Sequence, residues 1–434
     1  MRPLRVLFIS PNRLRLIVPP LPLGLASVIA AVGADHAFRV VDFMFETDPR
    51  GKLLSLLKEF QPEIIALGLR NVDNQDSRYP VFFFPEIKNL LDWLRQHYQG
   101  PIALGGGAFS ILPREFMDYL GADFGIVGDG ELSFRALLEA YPQGEFNRVP
   151  GLIWKQHGQW QCNPPEPVLD LDQLPDPALE YFTPIQYHEA VGNAKLAGMI
   201  TLQSRRGCPM NCIYCTTPLI EGRRLRTRSP EKVAAFMAYC HDRWHLTRFY
   251  FIDNIFNYPL DYARQLCRAV KNLNLPVQWS CIINPAFPDA ELFHLIRKAG
   301  GYRVQVGNES GSDLVLTNLG KGYGRGQVEN TLQLLEQAGL AYSCFLLFGG
   351  PGETPETVKE SVALLEKYQP QMVNLTVGIR IYPGATIYRQ ALAEGVISKT
   401  DNLLWPYFYL SPAIADWIWD YLPEITARHP NWIF

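Results

Sequence analysis

Residues 204–218 read SRRGCPMNCIYCTTP, placing Cys208, Cys212 and Cys215 as C-x3-C-x2-C with no fourth cysteine nearby. The triplet directly follows the strand-like GMITLQSR and sits in a loop containing Gly207 and Pro209. Downstream, apolar β-type runs alternate with helical periods: RFYFID, VQWSCII, YRVQVGNES, AYSCFLLFGG and MVNLTVGIR, separated by helices at 230–243, 260–272, 288–299, 325–338 and 355–367. Six βα units exceed what a flat sheet needs and predict an open, partial (β/α)6 barrel of TIM type, with chemistry at the carboxyl ends of its strands. The cysteines stand on that face.

Three thiols restrict the chemistry. A zinc ribbon needs a second cysteine pair, whereas Cys240 falls within a predicted helix, and a ferredoxin-type cluster needs a fourth thiolate. Three thiolates can hold a 4Fe-4S cluster with one iron left open, or the triplet holds a zinc ion or nothing. Of the eight cysteines, the other five (Cys162, Cys240, Cys267, Cys281 and Cys344) are scattered and read as buried fillers, not as a disulfide framework.

Upstream, the first 140 residues alternate strands at 5–10, 38–43, 63–70, 101–107 and 122–130 with amphipathic helices, the pattern of an α/β doubly wound parallel sheet. Ligands of such sheets sit at the carboxyl ends of the strands, at the switch in strand order. Arg70 and Asn71 follow the third strand, Gly105, Gly106 and Gly107 the fourth, and Gly128, Asp129, Gly130 and Glu131 the fifth. Glycines there let a backbone approach a bulky ligand, and they are also ordinary turn formers. Residues 145–194 read as a connector with a small hairpin in VPGLIWKQHGQWQ. The division expected is a first domain over 1–144, the barrel over 195–390, beginning near Lys195, and a short helical, aromatic extension over 391–434.

Composition excludes several classes. Hydrophobic residues at 47%, charged residues at 19% and a net charge of -3 fit a globular enzyme and argue against nucleic acid as an obligatory partner; the single basic block is GRRLRTR at 222–228. The apolar stretch 17–34 opens with three prolines in six positions after a strand, unlike a membrane span or a signal peptide, so a cytoplasmic location is expected.

C-x3-C-x2-C after the first strand of a partial barrel resembles the radical SAM superfamily, and FIDNIFN (251–257), VGNESGSDLVLTNLGKGY (306–323), LLFGGPGET (346–354) and IRIYPGATIY (379–388) resemble its strand-end motifs in order. The resemblance implies that Cys208, Cys212 and Cys215 ligate a 4Fe-4S cluster, that the open iron chelates S-adenosylmethionine, and that one-electron reduction cleaves it to a 5'-deoxyadenosyl radical. Tyr214 would flank the adenine. Asp253, Asn254, Glu309, Ser310, Gly349, Gly350, Gly352 and Glu353 would supply further cofactor contacts; the usual two glycines and acid after the second strand are absent, so Asp253 or Asn254 would have to substitute. For Glu309 the other reading is a salt bridge inside the barrel.

A doubly wound domain before such a barrel resembles the cobalamin-binding subfamily, with PPLPLGLASVIAAVGA, LGGGAFSILP and GIVGDGEL as its recurring segments. Methylthiotransferases, the rival partner, require cysteines that the first 150 residues lack. The D-x-H-x-x-G pattern of a histidine lower ligand is also missing, so cobalamin would bind without one. Arg70 would then stand on the lower face, where a fixed positive charge disfavours a sixth cobalt ligand and favours giving up a methyl group. This resembles the arrangement in the tryptophan 2-C-methyltransferase family. The other reading pairs Arg70 with Asp73 or Asp76 at the sheet edge. The expectation is a cobalamin-dependent C-methyltransferase, using methylcobalamin and SAM on an unactivated carbon of a small molecule, lipid or natural product, with an external flavodoxin- or ferredoxin-like electron donor. The alternatives are a radical cyclase without net methylation and a redox-responsive iron–sulfur protein. Residues 403–422, rich in aromatics, either lid the site or pack on the barrel; the spacing of Leu410, Trp417 and Tyr421 favours packing.

Overall fold

A computed structural model describes residues 2–14, 18–190 and 198–434; the expected start of the barrel near Lys195 lies outside them. The first sheet contains β1 (Arg5–Ser10), β2 (Ala37–Asp42), β3 (Ile64–Gly68), β4 (Ile102–Gly105) and β5 (Phe124–Ile126). Its strands are short runs such as IIALG and IALG, buried on both faces by helices, as parallel sheets require. Those helices are α1 (Leu23–Val32), α2 (Pro49–Glu59), α3 (Phe84–His97), α4 (Gly107–Ile111), α5 (Pro113–Leu120) and α6 (Gly130–Ala140). The strand order β2-β1-β3-β4-β5 puts the switch point between β1 and β3.

The hairpin read as a connector is part of this sheet. Strand β6 (Leu152–Gln156) pairs antiparallel with β5, and β7 (Gln159–Cys162) pairs with β6, giving seven strands. Leu152, Ile153 and Trp154 are buried, so the hairpin docks by the apolar half of β6.

After α7 (Pro184–Glu189), the second sheet begins with β8 (Ile200–Leu202), followed by the ribbon β9 (Arg205–Arg206) and β10 (Arg226–Thr227) that brackets the cysteine loop and α8 (Thr217–Ile220). It continues through α9 (Pro230–Trp244), β11 (Arg248–Phe251), α10 (Leu260–Asn272), β12 (Gln278–Ile283), α11 (Ala290–Lys298) and β13 (Gly301–Glu309). Then follow α12 (Asp313–Asn318), α13 (Arg325–Gln337), β14 (Ala341–Phe348), α14 (Pro355–Tyr368) and β15 (Met372–Val377). Asp289 caps α11 by accepting from Leu292 N, and Thr354 caps α14 by accepting from Thr357 N, which fixes two of the crossovers. The six expected strands are parallel and lie in sequence order, with β8 at one open edge.

Beyond them come β16 (Ile379–Arg380), α15 (Thr386–Ala393), β17 (Phe408–Tyr409), α16 (Ile418–Arg428) and β18 (Trp432–Ile433). The last strand adds to β15 as a seventh barrel strand, taken from the segment read as an extension. The aromatic segment packs, as its spacing favoured: Ile414, Ile418, Leu422 and Ile425 are buried, and Trp417 stacks on Tyr421 with ring centroids 4.4 Å apart. Trp405 meets Phe82 and Phe84 of the first domain edge-on, at 5.1 and 5.0 Å. No helix among the described residues is long and apolar enough to cross a membrane.

Candidate functional site

The cysteine loop is held from three directions. Cys208 N donates to Gly222 O at 3.1 Å, Ile213 N to Leu319 O at 3.1 Å, and Ile387 N to Ile213 O at 2.9 Å. Gly207 has φ +85 and a Cβ there would meet Arg224 O at 2.2 Å, so only glycine permits the turn into Cys208. Burial, then the proximity of Cys215 and Cys212, pushes the Cys208 thiol up to about 11; burial likewise raises Cys212, opposed by Lys321. Cys208 and Cys212, so desolvated, resist becoming thiolates without bound cations, the condition that metal ligation relieves. Cys208, Cys212 and Cys215 are all free thiols on one loop, a donor set that fits a cluster with one thiolate per iron and one iron left open.

Around the loop, a carboxylate missed in the sequence organises the backbone. Glu221, in LIEGRR, accepts from Gly207 N at 2.9 Å, Asn254 Nδ2 at 2.6 Å and Gln203 Nε2 at 2.9 Å. Burial raises its pKa, opposed by those bonds and by Arg206. Lys321, also missed although it lies in the quoted LGKGY, donates to Tyr214 OH at 3.1 Å and to Glu309 Oε1 at 3.4 Å. Its flanking glycines, Gly320 and Gly322, both have positive φ, a local signal that this lysine is placed by a tight loop.

Several residues expected at a cofactor already have protein partners. Asp253 is fully buried: Oδ1 accepts from Ser204 N at 2.7 Å and Arg205 N at 3.1 Å, and Oδ2 pairs with Arg205 Nε at 3.3 Å. Asn254 accepts from Thr217 Oγ1 at 2.9 Å while donating to Glu221, so neither side chain is left for an amino group. Ser310 is spent on Ser361 Oγ at 3.1 Å and Ser312 N. Glu309 makes the salt bridge to Lys321 that was its other reading, with φ +60 placing it in a strained backbone region. Glu353 folds back on its own turn and accepts from Gly349 N and from Gly350 N, the latter at 3.2 Å. Gly349 has φ +98 with Leu410 Cδ1 2.4 Å from a would-be Cβ, and Gly352 has φ +77 against Asn318.

On the first domain, the strand-end glycines meet protein. A Cβ on Gly106 would strike Leu69 O at 2.5 Å, Gly107 lies 3.8 Å from Ile220 of α8, and Gly128 approaches Ile220 O; Gly130 packs on Val28. Gly105 is only loosely surrounded. Asp129 and Glu131, expected at a cofactor, bind the cysteine ribbon instead. Arg206 reaches Asp129 at 3.1 Å and Glu131 at 2.5 Å, and Arg226 also pairs with Asp129. The ribbon carrying the cluster loop is thus bolted to the β5–α6 turn.

Arg70 differs from all of these. Asp73 is taken by Arg380 at 2.8 Å, and Asp76 accepts from Arg78 N and Tyr79 N, so neither pairs with Arg70. Among the described residues Arg70 has no hydrogen bond or ion pair, and it is solvent-exposed at the mouth of a cavity of about 240 Å³. Pro11, Asn12, Gly68, Asn71 and Phe83 line the same cavity, at the β1/β3 switch point. Desolvation lowers its pKa, while Tyr187 and Tyr250 raise it. His36 and His97 stand elsewhere: His36 Nδ1 accepts from Leu4 N at the opposite ends of the strands, and His97 bonds Trp93 O on α3.

The sequence matches known families in both halves. Residues 202–365 match the radical SAM superfamily model and residues 19–138 the B12 binding domain model. An uncharacterised methyltransferase of Pyrococcus horikoshii is 24% identical over 87% of this chain and 79% of its own. The tryptophan 2-C-methyltransferase of Streptomyces laurentii is 23% identical over 92% of this chain and 75% of its own, and an anaerobic magnesium-protoporphyrin IX monomethyl ester cyclase of Synechocystis sp. is 24% identical over 73% and 62%. The fold superposes on the radical S-adenosylmethionine methyltransferase TsrM from Kitasatospora setae, a structure with cobalamin and a 4Fe-4S cluster bound. The TM-score is 0.83 at 21% identity, covering 100% of this chain and 91% of that one. The chain thus joins a B12-binding domain, residues 19–138, to a radical SAM domain, residues 202–365, the composition of the radical SAM enzymes that carry a B12-binding domain.

Proposed function

We propose that the chain is a cobalamin-dependent C-methyltransferase acting on a small molecule. The observation that carries this reading is Arg70 at the switch-point cavity, without a hydrogen bond or ion pair among the described residues, in a chain that also carries the three-thiol loop at the first barrel strand. When bound, the 4Fe-4S cluster supplies an electron, S-adenosylmethionine a methyl group or radical, and cobalamin a methyl carrier.

Cys208, Cys212 and Cys215 would hold the cluster, with Glu221 and the backbone bonds to Gly222 and Leu319 fixing the loop. Tyr214, oriented by Lys321, would bound the adenine side. Arg70 and Asn71 would hold the cobalamin from the switch-point cavity, where the Arg70 charge, without an ion pair among the described residues, would disfavour binding of additional ligands. The Arg206–Glu131 and Arg226–Asp129 pairs keep both halves in register, which a transfer between two bound groups requires. An external one-electron donor of flavodoxin or ferredoxin type, and a reducing cytoplasmic setting, complete the reading.

The similarity to the cyclase supports a second reading without net methylation. Anaerobic protein reconstituted with iron, sulfide and cobalamin, then given reductant and S-adenosylmethionine, separates them. Methyl transfer yields S-adenosylhomocysteine; 5'-deoxyadenosine without S-adenosylhomocysteine would favour the cyclase class, and no turnover would reject both.

A further inference from the structure

Inside the barrel, Thr201, Tyr250, Ser280 and Arg303 occupy one register row across β8, β11, β12 and β13. Neighbours in register on parallel strands project to the same face. The residues flanking them, Phe249, Phe251, Trp279, Cys281 and Val304, fill the core beneath the helices, so this row faces the lumen. One step higher, Gln305 pairs in register with Ser343, and its Oε1 accepts from Tyr250 OH at 2.9 Å.

Arg303 is only 8% exposed, yet no carboxylate or carbonyl among the described residues accepts from it. Its nearest recorded company is the Tyr302 ring, 5.7 Å from the guanidinium carbon. Two hydroxyls in the same rows, Thr201 Oγ1 and Ser343 Oγ, are also buried without a partner. Arg205, still more deeply buried, has Asp253 and three backbone carbonyls. A largely buried guanidinium whose Nε–H meets no acceptor among the described residues is unfavourable unless something else fills the role.

We infer that Arg303 binds the anionic group of the substrate, and that this group is a carboxylate. The inference rests on the reading that a small molecule enters this barrel. A single guanidinium presents a planar fork that matches two carboxylate oxygens, and the two orphaned hydroxyls add neutral donors. A phosphate dianion would leave charge uncompensated, because no second cation occupies these rows.

The test uses the full chain labelled with 15N-arginine, its Arg303 Nε–H resonance identified by loss in Arg303→Lys. Acetate, benzoate and indole-3-acetate are titrated, each against the amide of the same skeleton, with inorganic phosphate as a further probe. At least one carboxylate is expected to shift the resonance while its amide does not, and Arg303→Gln should weaken that carboxylate's binding by about tenfold or more, the loss of one charge-assisted contact. Acid and amide acting alike, or no response to any probe, overturns the site; a response to phosphate alone overturns the carboxylate assignment. The wild-type titration stands even if a variant fails to fold. Cluster and cobalamin content of the same protein, read by absorption, tests the functional reading separately. Protein that loads neither but responds to carboxylates removes the reaction and keeps the site; protein that loads both and responds to none does the reverse.

Discussion

Arg380 Nε lies 2.8 Å from Asp73 Oδ2, and the pair is shut away from solvent, with 3% and 0% of the two side chains exposed. The pair joins the loop after β3 to β16, beyond the barrel's sixth strand, and the remaining guanidinium hydrogens go to Ile381 O and Leu403 O. By taking Asp73, Arg380 leaves Arg70 without its nearest acid in sequence. One ion pair thereby locks the seam and keeps a second arginine free.

Asp73→Asn should therefore destabilise the chain strongly. It leaves Arg380 buried with its charge uncompensated, a loss of about 3–5 kcal/mol. Chemical denaturation of wild type, Asp73→Asn, Arg380→Met and the double variant should show the double variant less destabilised than the sum of the singles. Strict additivity would mean that the two side chains do not interact.

Substitution of Cys208, Cys212 or Cys215 by alanine should each abolish cluster assembly, since three thiolates are the minimum for a site that leaves one iron open. Iron and sulfide analysis after anaerobic reconstitution measures it. Cys240→Ala and Cys344→Ala, which empty core positions with fully buried thiols, should retain the cluster. A cluster that survives loss of a loop cysteine would refute its assignment as a ligand.

The strands and the cysteine loop were legible because their signals are local: alternation of apolar runs, and three thiols at fixed spacing. What escaped was partnership. Nothing in GIVGDGEL distinguishes an acid that faces a cofactor from Asp129 and Glu131, which face Arg206 and Arg226 from 75 or more residues away. The same holds for Asp253, whose position at a strand end suggested a ligand contact while its burial commits it to Ser204 and Arg205. Two-residue pairings such as β18 on β15 carry too little periodicity to be read at all. Glycine was ambiguous in principle, since close approach of a cofactor and close approach of a neighbouring backbone, as of Leu69 O to Gly106, demand the same missing Cβ.

Arg70→Gln tests the proposed reaction at its most distinctive residue. Among the described residues Arg70 has no hydrogen bond or ion pair to lose, so stability should change by less than about 0.5 kcal/mol. Methyl transfer from the reconstituted enzyme should fall by about tenfold or more, the effect of removing roughly 1.4 kcal/mol of electrostatic bias. Arg70→Lys should recover part of the rate. Equal loss of stability and rate would show instead that the arginine supports the fold.

Glu353 offers a test by pH. Its pKa is raised from an ordinary 4.5 to about 7, by burial first, with the Gly349 and Gly350 N–H groups opposing the shift. Its second oxygen, Oε1, has no partner, so the ionised form is poorly satisfied. A folded value above the unfolded one means that the native state holds the proton more tightly. The stability this contributes is fully present below pH 4.5 and is lost as pH rises through 7. The span corresponds to about 3 kcal/mol at about 1.4 kcal/mol per unit. Glu353→Gln keeps an amide oxygen for the two glycine N–H groups but cannot ionise, which removes the dependence. The stability of wild type minus that of the variant, from denaturation at pH 5 and pH 8, should fall by that order between the two. A pH-independent difference would show that Glu353 titrates alike in both states, and that the turn after β14 tolerates its charge.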